Sequence, residues 1–356
     1  MTSGAGRTVA VTGAAGYLGS RLIAELCSTE GIGRVIGFDV RPPDFSDPRF
    51  VFDRLDVRDP AIESRLAGVD VLVHLAFIMD PIHDETEMRD VNVNGSTNVF
   101  RCAGRAGVRK VVYTSSAVAY GAHPDNEVPL TEESPLRANL DFSYAAHKLE
   151  VEFVVREVQD DFPDLTFTVF RPSIVFGPHV DNAWSHQLQQ PVPLRVRGQD
   201  APLQFVHEDD VAAALMRAVT GDLEGYFNLA PEGWLTIEEI DRIVDRRWYV
   251  VPEATAFSMA ERMWSLGVAE APAGMLHYVL HPWVVSSEKL RATGFTFSRT
   301  NAESLQETWG RVRGTVRVGT NTYQRRDIAR GAAVAAGVGI ALVSLRSAKR
   351  RLFAGR

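Results

Sequence analysis

Thr12-Gly13-Ala14-Ala15-Gly16-Tyr17-Leu18-Gly19 is the stretch that decides how this chain folds. Ahead of it, Arg7–Thr12 is a β-branched run of strand length. Behind it, Tyr17–Ser28 repeats apolar residues at helical spacing. A G-x-x-G-x-x-G turn between a strand and a helix is suited to phosphate. Gly13 permits the tight reversal, Gly16 lets the backbone approach a pyrophosphate with no Cβ in the way, and Gly19 lets the helix lie close to the strand. The helix start, from Ala15 through Tyr17 and Leu18, offers free N–H groups and the positive end of the helix dipole. A glycine triplet alone is weak evidence; the strand before it and the helix after it are what make it a dinucleotide turn.

Outward from that turn, strand-like and helical patterns alternate. Strands are expected at Arg34–Phe38, Phe50–Leu55, Val69–His74, Lys110–Ser115 and Leu165–Phe170, and helices around Met88–Ala106 and Tyr144–Gln159. The strands are nearly continuous in apolar residues, as strands buried on both faces should be. The expected fold is therefore α/β: a Rossmann-type, doubly wound parallel sheet. Residues 1–171 form its dinucleotide-binding domain, and 204–230 complete the sheet. Beyond Arg171 prolines interrupt the pattern, and residues 172–310 read as a smaller, interleaved substrate lobe with amphipathic helices at Thr236–Asp245 and Ala256–Leu266. Thr315–Gln324 reads as a linker, and 311–356 as a basic tail ending in a short hydrophobic helix.

Asp39 follows the second strand, 26 residues after Gly13. An acid there accepts hydrogen bonds from the adenosine ribose and repels a 2′-phosphate, so the cofactor is read as NAD, with NADP less favoured. Arg21 and Arg41 are near enough to soften that preference, and Asp39 could also simply start the turn before Pro42. Asp56 and Val57 follow the third strand, where a carboxylate and a backbone amide can hold the adenine edge.

Ser115 and Ser116 end the strand at Lys110, on the edge of the sheet that faces the ligand crevice. Tyr144 and Lys148 stand four residues apart on one face of the next helix. A phenol with an unperturbed pKa near ~10 is lowered by a neighbouring ammonium. So tuned, it can take a proton from an alcohol or give one to a carbonyl. Each feature alone is common; their order after the glycine turn makes a proton-transfer set.

With these residues in view the chain resembles the extended short-chain dehydrogenases, a group that includes nucleotide-sugar epimerases, dehydratases and 3β-hydroxysteroid dehydrogenases. The resemblance rests on the glycine turn, on Thr114-Ser115-Ser116 before Tyr120-Gly121, and on Tyr144-Ala145-Ala146-His147-Lys148. It continues through Val91-Asn92-Val93-Asn94-Gly95, Phe170–Pro178 and Phe205–Val211, covering roughly residues 7–310. It implies that Ser116 is the catalytic serine and Asn94 the active-site asparagine. It places Leu75 and Ala76, after His74, along the cofactor, and Pro172 and Ile174 near the nicotinamide. Lys148 would also reach the nicotinamide ribose. A homodimer is implied by the family alone.

One departure bears on substrate. Nucleotide-sugar members carry an arginine that grips the diphosphate where this chain has Leu203, and leucine supplies neither charge nor donor. Arg195 and Arg197 are close in sequence and could substitute. The lobe is also rich in large apolar residues: Trp184, Trp234, Trp248, Met259, Met263, Trp264, Met275 and Trp283. Core packing explains most of them; if several line a pocket, the substrate is a hydrophobic alcohol or ketone. Three functions follow: an NAD-dependent oxidoreductase acting on a secondary alcohol, an epimerase or dehydratase that returns the hydride internally, and a non-catalytic dinucleotide sensor. The intact Ser116, Tyr144 and Lys148 speak against the last.

Composition bounds the rest. The chain has 356 residues, 45% of them hydrophobic, and two cysteines, which excludes a disulfide framework and a zinc cluster; no metal is expected. Those cysteines and the polar start fit a cytoplasmic protein. The net charge is −7, yet from residue 311 onward there are eleven basic residues against one acid. The rest is strongly acidic, which argues against nucleic acid and leaves the tail to meet something anionic. Residues 331–345 carry no charge and span about 22 Å as a helix, short of a ~30 Å hydrocarbon core. The reading is contact with the cytoplasmic face of a membrane rather than a firm span; an ordinary docked tail is the alternative.

Overall fold

The computed structural model describes residues 6–327 except 191, 268, 319 and 320. The described residues form the strands β1 (Arg7–Thr12), β2 (Ile32–Asp39), β3 (Phe50–Arg54), β4 (Val71–His74), β5 (Lys110–Thr114), β6 (Thr166–Pro172), β7 (Ile174–Phe176), β8 (Leu194–Val196), β9 (Phe205–His207), β10 (Gly225–Leu229), β11 (Tyr249–Val251), β12 (Thr315–Val318) and β13 (Asn321–Gln324). Seven of them form one sheet in the order β10-β6-β5-β4-β1-β2-β3. Every pairing in it is parallel. The chain winds outward from β1 to β3, then returns to β4 and winds the other way. The switch point therefore falls between β1 and β4, where a doubly wound sheet opens its ligand crevice.

Alternating strand residues feed two apolar layers, as a period of two demands. Val9, Val11, Val73 and Val112 face the helices Tyr17–Ser28 and Glu208–Thr220. Ala10, Leu72, Val111 and Phe167 face Gly95–Arg105 and Ser143–Asp161. The stretch 204–230 thus supplies both an edge strand, β10, and a helix that covers one face. A third apolar cluster joins Ala117, Val118 and Tyr120 to Phe176, Phe205, Leu235, Ile237 and Leu305, so the two halves of the chain share a core.

Two expectations are corrected. The helix expected around Met88–Ala106 is broken into Glu85–Arg89, a π-helical turn Asp90–Asn94 and Gly95–Arg105. Thr315–Gln324 is no linker: β12 and β13 pair as an antiparallel hairpin. Arg317 docks it, its N–H donating to the Gln189 carbonyl at 3.0 Å and its Nε lying 2.5 Å from Glu270. Arg311 likewise donates to the Val180 carbonyl. Both of these basic residues are tied into the fold. The hydrophobic segment 331–345 lies outside the described residues. Among those described, no helix is long and apolar enough to cross a membrane.

Candidate active site

The glycine turn closes as its spacing requires. Gly13 has φ +71°, and a Cβ there would stand 2.8 Å from the Ala76 nitrogen, where β1 and β4 end side by side. A Cβ on Gly19 would meet the Gly13 carbonyl at 2.1 Å. The helix Tyr17–Ser28 begins with no side-chain cap and no acid in its first turn, so its leading N–H groups are left for an anion. Asp39 spans the turn, its Oδ2 accepting from the Ala15 N–H and its Oδ1 from the Arg41 N–H, each at 3.0 Å. Arg21 is committed elsewhere, paired with Asp209 and 3.6 Å from buried Glu208, so it does not offset the charge of Asp39. Tyr17, at 36% exposure, leans on the His179 ring, and Leu18 packs on the core.

Three buried hydroxyls without a partner, Thr114, Ser115 and Ser173, gather at the C-terminal ends of β5 and β6. Buried polar atoms are normally satisfied, and a polar ligand at the crevice would satisfy these. With the glycine cradle and the uncapped helix, the residues present fit a dinucleotide.

Asp56 and Val57 fit their expected role less simply. The Asp56 carboxylate is held by Arg58 at 2.7 and 3.0 Å, which keeps it below the usual carboxylate range. Val57 is buried beneath Gly95, and its carbonyl accepts from Asn98 at 2.8 Å. Leu75 and Ala76 donate their N–H groups to Thr12 Oγ1 at 3.2 and 3.3 Å. That hydroxyl also meets His74 Nδ1 at 2.8 Å, and His74 Nε2 meets Ser96 Oγ at 2.9 Å. Burial drives the His74 pKa down to about 3, so the ring is neutral and serves as a hydrogen-bonded strut. Pro172 ends β6, paired with Leu229, and Ile174 is buried in the shared cluster.

Ser116, Tyr144 and Lys148 come together. Ser116 follows β5 and caps the short turn Ala117–Tyr120. Tyr144 is half-buried between Phe77 and Phe142, each ring 5.8 Å away. Burial pushes the Tyr144 phenol up to about 12, with the Ser116 hydroxyl as an opposing influence. Burial also brings Lys148 down to about 7, against the pull of Glu152. Its Nζ donates to the Thr114 carbonyl at 2.8 Å and sits 3.5 Å from the centre of the Phe77 ring, but 5.8 Å from that of Tyr144. Desolvation is the largest influence on both groups.

Asn94 is not in the site. Its amide bonds Asp90 at 2.7 Å at the surface. The buried asparagine of the same motif is Asn92, two residues earlier. Its Oδ1 accepts from the Ile78 N–H at 2.7 Å, its Nδ2 donates to the Ile78 carbonyl at 3.0 Å, and it lies 3.4 Å from His147. It thereby holds the loop that carries Phe77 over Lys148. The π-helical turn sets which asparagine faces inward, and helical periodicity cannot register such a turn.

In the lobe, Trp184, Trp248, Met259, Met263 and Met275 line a cavity of about 310 Å³. Leu203 lines it too. Arg195 is in its wall, bound to Asp241 at 2.7 Å and lying 4.9 Å over the Trp248 ring. The other three large apolar residues lie elsewhere: Trp264 stacks on His83, Trp283 is buried in the core, and Trp234 is partly exposed.

A doubly wound sheet, a phosphate turn at its switch point and a serine, tyrosine and lysine on its carboxyl edge define a dinucleotide-dependent enzyme of the short-chain dehydrogenase type. The model of the NAD dependent epimerase/dehydratase family matches residues 9–230, and the chain belongs to that family. The expected NAD cofactor agrees with that membership. An uncharacterized protein of Mycobacterium tuberculosis is 32% identical over 255 residues, 69% of this chain and 68% of its own. The N-acetyl-alpha-D-glucosaminyl-diphospho-ditrans,octacis-undecaprenol 4-epimerase of Escherichia coli O157:H7 is 29% identical over 175 residues, 48% of this chain and 49% of its own. The UDP-glucose 4-epimerase of Thermus thermophilus, solved with NAD, superimposes with a TM-score of 0.66 at 22% identity, over 86% of this chain and 99% of its own. At that identity the likeness is one of fold.

Proposed function

We propose that this protein oxidises a secondary alcohol, or reduces the matching ketone, with Tyr144 as the proton-transferring group. The observation that carries this is the meeting of Ser116, Tyr144 and Lys148 at the carboxyl edge of the sheet, beside the glycine turn. When bound, NAD⁺ supplies the hydride acceptor. Residues 13–19 and Asp39 hold it, with Leu75, Ala76, Pro172 and Ile174 along its length and Asp56 and Val57 at the adenine end. Ser116 holds the substrate hydroxyl, Tyr144 takes its proton, and Lys148 swings from Thr114 toward the phenol and the ribose to favour the phenolate.

A second reading keeps the same residues and returns the hydride internally, as an epimerase. The name of the Escherichia coli relative favours it. Dehydration is the weaker variant, because Ala117 and Val118, which follow Ser116, carry no acid. The two readings divide on one assay. With NAD⁺ and an apolar secondary alcohol, NADH should accumulate, and Tyr144→Phe should lower the rate by about 10²–10⁴-fold. A nucleotide or polyprenyl-linked sugar converted with no net NADH would overturn net oxidation and establish the epimerase.

Residues 1–171 with 204–230 form the dinucleotide-binding part in this reading, and the remainder of 172–310 the substrate lobe. The protein is cytoplasmic and pairs as a homodimer, and its basic tail, with the uncharged segment 331–345, rests on an anionic membrane surface. Sedimentation tests the pairing. Flotation with anionic vesicles, with and without residues 328–356, tests the tail; equal flotation of both forms would refute it.

A further inference from the structure

The cavity in the lobe is chemically unlike a diphosphate site. Its wall is mostly apolar, and each charged side chain in it is already paired. Arg195 is held by Asp241. Glu270 lies 2.5 Å from Arg317 and 2.7 Å from His186. Among the described residues of the wall no cation is left over for an anion, and Leu203 stands where a diphosphate-gripping arginine would. A diphosphate taken out of water needs charged or bidentate donors.

The opening is apolar too. Val192, Leu194, Met259 and Met263 belong to the wall and are also exposed. The helix Glu253–Ser265, which carries both methionines, buries only Ala256. Exposed apolar side chains that continue into a cavity mark an entrance for an apolar ligand. Methionines are suited to it, since their unbranched side chains re-pack around chains of different shape. Phe176 and Trp184 of the wall belong to the apolar cluster on which Tyr144 packs, so the cavity and the proton-transferring residue share one packed unit.

We propose that this cavity takes the alkyl or isoprenyl chain of an amphiphilic substrate, which enters past Met259 and Met263 and leaves its polar, reacting end toward Tyr144. The placement of the reacting end rests on the reading of Tyr144 given above; the binding of the chain holds for either reaction.

Trp184 and Trp248 in the wall make binding observable without turnover. The full-length protein is titrated with secondary octanol, decanol and dodecanol, each brominated at the chain end to quench tryptophan, and with UDP as the competing chemistry. The expected result is saturable quenching whose affinity rises up to roughly fourfold per added methylene, with UDP displacing none of it. Met263→Glu at the rim and Ala260→Trp in the wall should each weaken dodecanol at least about tenfold, with thermal unfolding reporting that both variants are folded. A flat affinity series, or UDP quenching where the alcohols do not, overturns the proposal. Chain binding that persists while Tyr144→Phe turns over as fast as the wild type would instead overturn the catalytic reading and leave the ligand class standing.

Discussion

Asn92 and Asn94 differ by two positions, and only burial separates their roles. Asn92 is fully buried and satisfies both the N–H and the carbonyl of Ile78. Asn92→Ala strands two backbone groups, so it should cost about 1–3 kcal/mol and release the Phe77 loop, with a fall in turnover. Asn94→Ala touches only a surface bond and should stay within about 0.5 kcal/mol of the wild type. Urea denaturation of the two variants decides this, and equal losses would remove the distinction. Lys148 shows how far residue type alone can mislead. Its spacing from Tyr144 was legible, but the direction of its ammonium was not, because a carbonyl and a phenyl ring from distant segments capture it.

Among the elements, the helix Ser143–Asp161 carries more than Tyr144 and Lys148. One turn beyond Lys148, Glu152 forms a buried bidentate pair with Arg171 of β6, at 2.8 and 2.7 Å. Arg171 also donates to Tyr120 at 2.7 Å, and Tyr120 to Asn228 of β10 at 2.8 Å. This network ties the helix Ser143–Asp161 to the edge of the sheet. Arg171→Met leaves the Glu152 charge buried and alone, and should cost about 3–5 kcal/mol. Pairing it with Glu152→Leu should restore much of that stability. If the double variant is no more stable than Arg171→Met, the loss comes from packing rather than from a stranded charge. The strands were readable from their continuous apolar runs. The break at Asp90–Asn94 was not, because a π-turn inserts one residue without disturbing the composition.

For the molecule as a whole, the boundary at residue 171 marks a change in pattern, not a separable unit. Without β10 and the helix Glu208–Thr220, one face of the sheet would expose Val11, Val73 and Phe170. A fragment of residues 1–171 should therefore lack a cooperative thermal transition and near-UV circular dichroism, and the full chain should show both. A fragment that melts cooperatively would show that the first part folds alone.

What the sequence determined by itself was local: glycine positions that only a tight turn tolerates, apolar runs of strand length, and a tyrosine and lysine one helical turn apart. Each depends on spacing along one segment, and spacing is what a sequence records. Tertiary structure alone decided that Asn92 rather than Asn94 is buried, that Lys148 points to Thr114, that Arg195 is neutralised by Asp241, and that five scattered tryptophans and methionines close around one cavity. These depend on groups far apart in the chain meeting in a low-dielectric interior, where burial and pairing reset charge and direction.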